Sequence, residues 1–278
     1  HRELAKPVRE LLEQRGVGLY DGHRVDRITA AGDRLSVHAG DLALSADLVI
    51  AAIGVRPCAS LAEQAGLELS VGGSLATDRT LRTSDPEIFA AGDCADSFHV
   101  VTGAKTWIPL ALRANRAGWA VADNVCGGRV ELPGVAGTAV FKVFDMQVAR
   151  TGLTPDEAQE AGFDPVEVQI RSRSRAGIYP GARPLYVAMV GDRKSGRLRG
   201  GEQTGARRVA HRDNAAAVAL LAGMRPDLGS APGGGQPADQ TTGHLIVLRR
   251  SPVAPGGRRP FNTRPSPSGR RGGSRPPR

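Results

Sequence analysis

Long apolar runs are missing from this 278-residue chain: no stretch of about 18 hydrophobic residues occurs, so the sequence offers no transmembrane helix. Aromatic residues make up only 4%, so a core has to be built from Ala, Val, Leu and Ile. Cysteine is scarce too, and Cys58, Cys94 and Cys126 form no CxxC pair. An odd, sparse set excludes the disulfide framework of a small secreted domain, and the clustered ligands of a zinc site are absent from the sequence. Each cysteine reads as a small buried residue, and a reduced, cytoplasmic location is the default. The start, His1-Arg2-Glu3-Leu4, lacks the apolar stretch of a signal peptide. It also lacks Met, and the reading is of the C-terminal part of a longer protein.

Acid is almost absent from one end. From residue 229 onward the chain holds nine arginines, Arg249 through Arg278, against the single acid Asp239, so +8 of the formal +9 lies there. The body is close to neutral, and the charge is therefore no argument for a nucleic-acid or membrane partner of the whole molecule. The tail carries a single phenylalanine, Phe261, and no interleaved series of aromatics for base stacking. Rich in Gly, Pro, Ser and Arg, with His244–Leu248 its sole apolar stretch, residues 229–278 read as a disordered basic tail.

The body reads as α/β. Leu4, Val8, Leu11 and Leu12 have helical spacing, and Arg15-Gly16 ends the run. Val17–Tyr20 reads as a short strand. Val25–Ile28, Leu35–His38 and Asp41–Leu44 read as an antiparallel meander turning at Gly-containing pairs. Two apolar runs, Leu48–Ile53 and Ile88–Ala91, read as strands buried on both faces. A helix follows Pro109 with Leu110, Ala114, Ala117, Val121 and Val125 on one side, and Cys126-Gly127-Gly128 ends it. Beyond Pro133-Gly134 the pattern changes to hairpin-linked strands over 140–144, 147–151, 166–170 and 185–190. Thr154-Pro155-Asp156-Glu157 is a capping box, and an Ala-rich helix runs over 206–221.

The stretch richest in chemistry is Thr83–Ala95, where an apolar segment delivers Gly92-Asp93 at its end. Alone, such an Asp reads as a turn residue capping the next segment. A strand-end Asp can also accept a ligand hydroxyl strongly, and Gly lets the backbone come close. Its context is Asp47–Pro57 upstream, then Ala65-Gly66-Leu67 and Gly72-Gly73, then Trp107–Gly118 downstream. In this order and spacing the residues resemble the FAD-dependent pyridine nucleotide-disulfide oxidoreductases, nearest the coenzyme A-disulfide reductase and NADH oxidase group, over about residues 1–225.

The resemblance implies partial FAD- and NAD(P)-binding three-layer domains followed by an α+β dimerisation domain. Residues 1–54 would end the NAD(P)-binding domain, 55–128 the FAD-binding domain, and 135–228 would form the dimerisation domain. It implies that Asp93, with Ala91 and Gly92, binds the ribityl–pyrophosphate part of FAD. Pro109-Leu110 opens the helix facing the flavin ring, and Gly54 ends a strand near NAD(P)H. Asn115 stands where some members place a substrate-contacting residue, often His. Tyr179 reads from the residues as an exposed loop residue before a turn; the resemblance offers a second role, reaching the other subunit's active site. The family's GxGxxG fingerprints and redox cysteine have no counterpart here and are expected upstream. The implied activity passes electrons from NAD(P)H through FAD to a small-molecule disulfide, in a homodimer. Oxygen as the acceptor, or a non-catalytic dimerisation fragment with a basic tail, are the alternatives.

Overall fold

The computed structural model describes residues 2–226 and the pair Leu248–Arg249. Helix α1 (Arg2–Gln14) buries Leu4 and ends at Gly16, as its spacing predicts. Strands β1 (Arg27–Ala31), β2 (Arg34–Ala39) and β3 (Leu42–Ala46) form the meander, in antiparallel register. Two expected strands are corrected here. Residues 17–20 join no ladder, and Tyr20 is 51% exposed. Residues 48–53 also pair with nothing, leaving Leu48 75%, Ile50 79% and Ile53 95% exposed. A strand buried on both faces needs neighbours at its edges and a layer above and below; the described residues supply neither at this point.

Residues 55–128 carry α2 (Ser60–Gln64), the short pair β4 (Ser97–Phe98) and β5 (Lys105–Thr106), and α3 (Ala111–Val125). The expected strand over 88–91 is reduced to one bridge, Arg82 to Phe89, though Ala90 is buried. Helix α3 is rotated from the expected stripe. Its buried residues are Arg113, Ala117, Ala120 and Asn124, whereas Val125 is 63% exposed. The reason is what lies beneath: loop carbonyls, which need donors. The Asn124 amide donates to the Thr80 and Val130 carbonyls at 2.7 and 3.0 Å.

Beyond residue 135 stand β6 (Ala139–Val143), β7 (Met146–Gly152), α4 (Pro155–Glu160), β8 (Pro165–Arg173), β9 (Pro184–Asp192), β10 (Leu198–Gly205) and α5 (Val209–Leu221). The five strands form one antiparallel sheet in the order β6-β7-β10-β9-β8. The capping box of α4 is complete: Glu157 N–H donates to Thr154 Oγ1 at 3.2 Å, and Thr154 N–H to the Glu157 carboxylate at 2.8 Å. Strand β10 was not expected, because Gly200, Gly201 and Gly205 carry no strand propensity. Packing selects them. A Cβ on Gly200 would sit 1.9 Å from the Leu153 carbonyl oxygen, so only glycine fits this central strand. A final two-residue pair joins β11 (Arg225–Pro226) to β12 (Leu248–Arg249). Apart from that pair, the expected disordered tail lies outside the described residues.

No sheet runs across the Pro133-Gly134 boundary, yet the two sides are packed together. Val135 N–H donates to the Phe98 carbonyl at 2.8 Å, and Val100 and Val101 pack against a cluster built on Met189, Leu198 and Leu220. On the sheet's other face α1 lies across β6, β7 and β10, with Leu4, Val8 and Leu12 opposite Phe141 and Val148 around a cavity of about 450 Å³.

Asp213 on α5 is 2% exposed, and its Oδ1 has no hydrogen-bond partner. Gln203, which shares the α5-facing side of the sheet with Ala149 and Val187, likewise keeps an unpaired buried oxygen. Burial pushes the Asp213 carboxyl up to about 6. A raised folded-state value means the neutral acid is tolerated and the carboxylate is not. The penalty is absent below about pH 4, grows between pH 4 and 6, and is constant above. The shift corresponds to roughly 3 kcal/mol. Asp213→Asn is therefore expected to raise the melting temperature at pH 7.5 and to leave it unchanged near pH 4. Equal effects at both pH values, measured by thermal unfolding, would contradict a buried ionised carboxylate.

Candidate functional site

The site is built around the turn Ala91–Asp96. Ala90 enters from a small apolar cluster with Leu75 and Ala95. Gly92 then takes φ 89, in the left-handed region that favours glycine, with nothing within 4 Å of where a Cβ would stand. The turn is held from three sides. Leu75 N–H donates to the Cys94 carbonyl at 2.8 Å, and Asp96 N–H to the Leu75 carbonyl at 3.0 Å. The Trp107 indole N–H donates to the Asp93 carbonyl at 2.7 Å. From α3, the buried Arg113 guanidinium donates to the carbonyls of both Gly92 and Asp96.

Below the turn Asp96 is fully buried and pairs with Lys105 at 2.8 Å, while its other oxygen accepts from Thr77 N–H at 3.0 Å and Thr77 Oγ1–H at 2.8 Å. Burial lowers the Arg113 pKa from its ordinary value, opposed by the negative fields of Asp96, Cys94 and Asp93. These ties fix the backbone and leave the Asp93 side chain exposed, with no hydrogen bond to any described residue.

Helix α3 begins beside this turn. Leu110 is its N-cap in extended conformation and provides no side-chain cap, so the first backbone N–H groups carry no such partner. Arg113 joins the two features, since it belongs to the helix's first turn and grips the Gly92 carbonyl. Trp107 and Arg113, on either side of Pro109 and Leu110, tie the turn to the start of the fifteen-residue helix through the carbonyls of Asp93, Gly92 and Asp96.

The other expected residues stand apart from it. Gly54 has φ 91 on an exposed segment. Asn115 is exposed on α3. Tyr179 is 58% exposed at the tip of the β8–β9 hairpin. Sequence reasoning missed the parts that hold the turn, namely Arg113, Trp107 and the Asp96–Lys105–Thr77 set. An arginine among apolar residues in a helix was the available signal for the first. The cysteines are also corrected: Cys58 and Cys126 are exposed, and only Cys94 is half-buried, donating to the Ala91 carbonyl at 3.3 Å. The first two sit at segment ends, where no apolar layer covers them. Among the described residues no group of His, Cys, Asp or Glu is placed to hold a metal, and no helix is long and apolar enough to cross a membrane.

The family model for pyridine nucleotide-disulphide oxidoreductases matches residues 1–118, and the model for that family's dimerisation domain matches residues 138–231. The chain belongs to the pyridine nucleotide-disulphide oxidoreductases. Among its relatives is a CoA-dependent NAD(P)H sulfur oxidoreductase of Pyrococcus furiosus, 37% identical over 211 residues, which are 74% of this chain and 47% of the relative. An NAD-dependent persulfide reductase from A. fulgidus has a similar structure, with a TM-score of 0.77 at 36% identity, covering 81% of this chain and 42% of the other. The water-forming NADH oxidase of Lactobacillus brevis matches with a TM-score of 0.75 at 26% identity, over 80% of this chain and 49% of the other. The chain thus spans about half the length of the curated relatives it matches.

The double tie made by Arg113 generates a prediction. Arg113→Ala leaves two carbonyls of a partly buried turn unpaired, at roughly 1–3 kcal/mol each. Arg113→Lys is expected to recover less than half of the loss, because an ammonium cannot fork to two carbonyls as a planar guanidinium does. Urea denaturation of the three proteins measures this; a lysine variant as stable as the parent would show that the fork does not hold the turn.

Proposed function

We propose that this chain carries the flavin-facing and dimer-forming portion of an FAD-dependent oxidoreductase that passes electrons from NAD(P)H to a disulfide or persulfide of coenzyme A type. The observation that carries the reading is the Arg113-locked turn, which sets Gly92-Asp93 beside the N-terminus of α3. The hydride and electron chemistry is supplied by FAD and NAD(P)H when bound, and the protein's share is position and electrostatics.

The residues present fit FAD. Asp93 offers a charged acceptor that no described residue hydrogen-bonds, suited to a ribityl hydroxyl. Ala91 and Gly92 allow the backbone to approach the pyrophosphate. Pro109 and Leu110 open the helix whose free N–H groups and dipole favour negative charge on the ring beside them. Gly54 is assigned to the nicotinamide side, and Asn115 to the substrate side. None of Cys58, Cys94 and Cys126 is assigned the redox role. Residues 1–54, 55–128 and 135–228 are assigned to the NAD(P)-binding, FAD-binding and dimerisation domains, with 229–278 as a basic tail.

The acceptor is assigned to sulfur on the strength of relatives named for sulfur and persulfide chemistry at 36–37% identity, against 26% for the NADH oxidase. A homodimer is the assembly that the dimerisation-domain match supports, with Tyr179 reaching the partner's site. Small molecules, not nucleic acid or membrane, are its ligands, and three free thiols without a disulfide suit the cytoplasm.

The test is flavin content. The 278-residue chain is expected to purify colourless or nearly so, because the ADP half of an FAD site has no counterpart in it, and each lost contact costs on the order of 1–3 kcal/mol. A fusion placing the N-terminal half of the Pyrococcus furiosus relative before residue 1 should purify yellow, and Asp93→Ala in that fusion should remove the flavin. Stoichiometric FAD on the chain alone would show the site complete as it stands. A yellow Asp93→Ala fusion would show that Asp93 is not a flavin ligand.

A further inference from the structure

The hairpin joining β8 to β9 is polarised in charge. Its base pairs Pro165 with Asp192 and Glu167 with Val190, so both acids lie there. Its tip half carries Arg171, Arg173, Arg175 and Arg183, with no acid between Glu167 and Asp192. Arg171 lies over the Tyr186 ring at 6.0 Å. The guanidinium groups of Arg173, Arg175 and Arg183 make no hydrogen bond or ion pair with any described residue, and all three residues are exposed.

The tip is also shaped. Ser174 is buried and closes it, with its N–H donating to the Arg183 carbonyl at 2.8 Å and its Oγ accepting from Arg183 N–H at 3.1 Å. Tyr179 N–H donates to the Ala176 carbonyl at 3.0 Å. Arg173 runs along the loop, its Cδ 3.7 Å from where a Cβ on Gly177 would stand. Ile178, 87% exposed, and Tyr179 project at the end of it.

Three like charges on one short hairpin repel one another, and in a neutral body nothing in the described chain offsets them. A multiply charged anion would, and guanidinium groups match phosphate oxygens in geometry. An exposed aromatic and an exposed aliphatic residue among them suit a ligand that is part phosphate and part organic. We propose that this hairpin tip is a phosphate clamp for the nucleotide end of a coenzyme A thiol, with Arg173, Arg175 and Arg183 on its phosphates and Tyr179 toward its sulfur-bearing arm. The proposal rests on the reading that the substrate is of coenzyme A type. It adds the residues that would distinguish such a thiol from an unphosphorylated one.

Calorimetric titration of the 278-residue chain at low ionic strength, with coenzyme A, 3′-dephospho-coenzyme A and pantetheine as probes, tests it. Affinity should fall in that order. The triple variant R173A/R175A/R183A should lose about tenfold for coenzyme A, as expected for losing charge-assisted phosphate contacts, and nothing for pantetheine. The variant R258A/R259A/R264A, which removes the same charge from the tail, should bind coenzyme A like the parent. Equal binding of the three thiols, no detectable binding of coenzyme A, or loss in the tail variant instead of the hairpin variant would overturn the clamp. So would a hairpin variant that binds coenzyme A normally but sediments as monomer where the parent is a dimer, since the arginines would then serve subunit contact. Flavin content in the fusion tests the underlying reading separately. A flavin-free fusion with the thiol order intact would sink the redox reading and leave the clamp standing.

Discussion

A single guanidinium holds the candidate site together. Arg113 rises from the first turn of α3 and donates to the carbonyls of Gly92 and Asp96, at either side of the exposed Asp93. A turn with a left-handed glycine has little intrinsic stiffness, and the apolar residues nearby are mostly alanines. What fixes it is polar: two carbonyls on one fork, one carbonyl on Trp107, and the buried Asp96 on Lys105 and Thr77. With its main chain occupied in this way, Asp93 is free to point outward as an acceptor. Because the fork originates in the helix, the turn is tied directly to the helix's first turn.

The same scarcity of bulk explains the rest of the N-terminal part. With few aromatics, the segment over 55–128 is held by bridges and side-chain-to-carbonyl bonds more than by a packed sheet. Asn124 does for the loop at Thr80 and Val130 what Arg113 does for Gly92. The C-terminal part is different in kind: a five-stranded sheet with α5 on one face, α1 on the other, and α4 packed through Ala158 against Leu153 and Val190. Its weak points are the polar atoms that this packing traps, Asp213 and Gln203 among them.

Much of this was legible in the sequence, and the failures share a cause. The meander, the α4 capping box and the α5 helix were readable because their signals are local: turn glycines, a Thr-x-x-Glu spacing, a run of alanines. The family was readable from the order of several short motifs. Leu48–Ile53 and Ile88–Ala91 were read as buried strands because apolar runs report a preference for burial, and burial itself depends on neighbours these residues do not have among the described chain. Strand β10 escaped for the opposite reason: Gly200, Gly201 and Gly205 are chosen by close contacts with Leu153, Met189 and Leu185, which only the folded chain reveals. Arg113 escaped because a charged residue in a helix reads as surface until its carbonyl partners are known.

The central claim is that the Arg113-locked turn and the start of α3 form one flavin-facing surface. Amide chemical shifts of the 278-residue chain during titration with FAD test it most directly, since weak binding is still visible there. The account predicts concerted shifts at Gly92, Asp93, Ala111 and Leu112 that saturate together and are lost in Arg113→Ala. Shifts confined to the arginine-rich tail, or none at these four amides at saturating FAD, would contradict it.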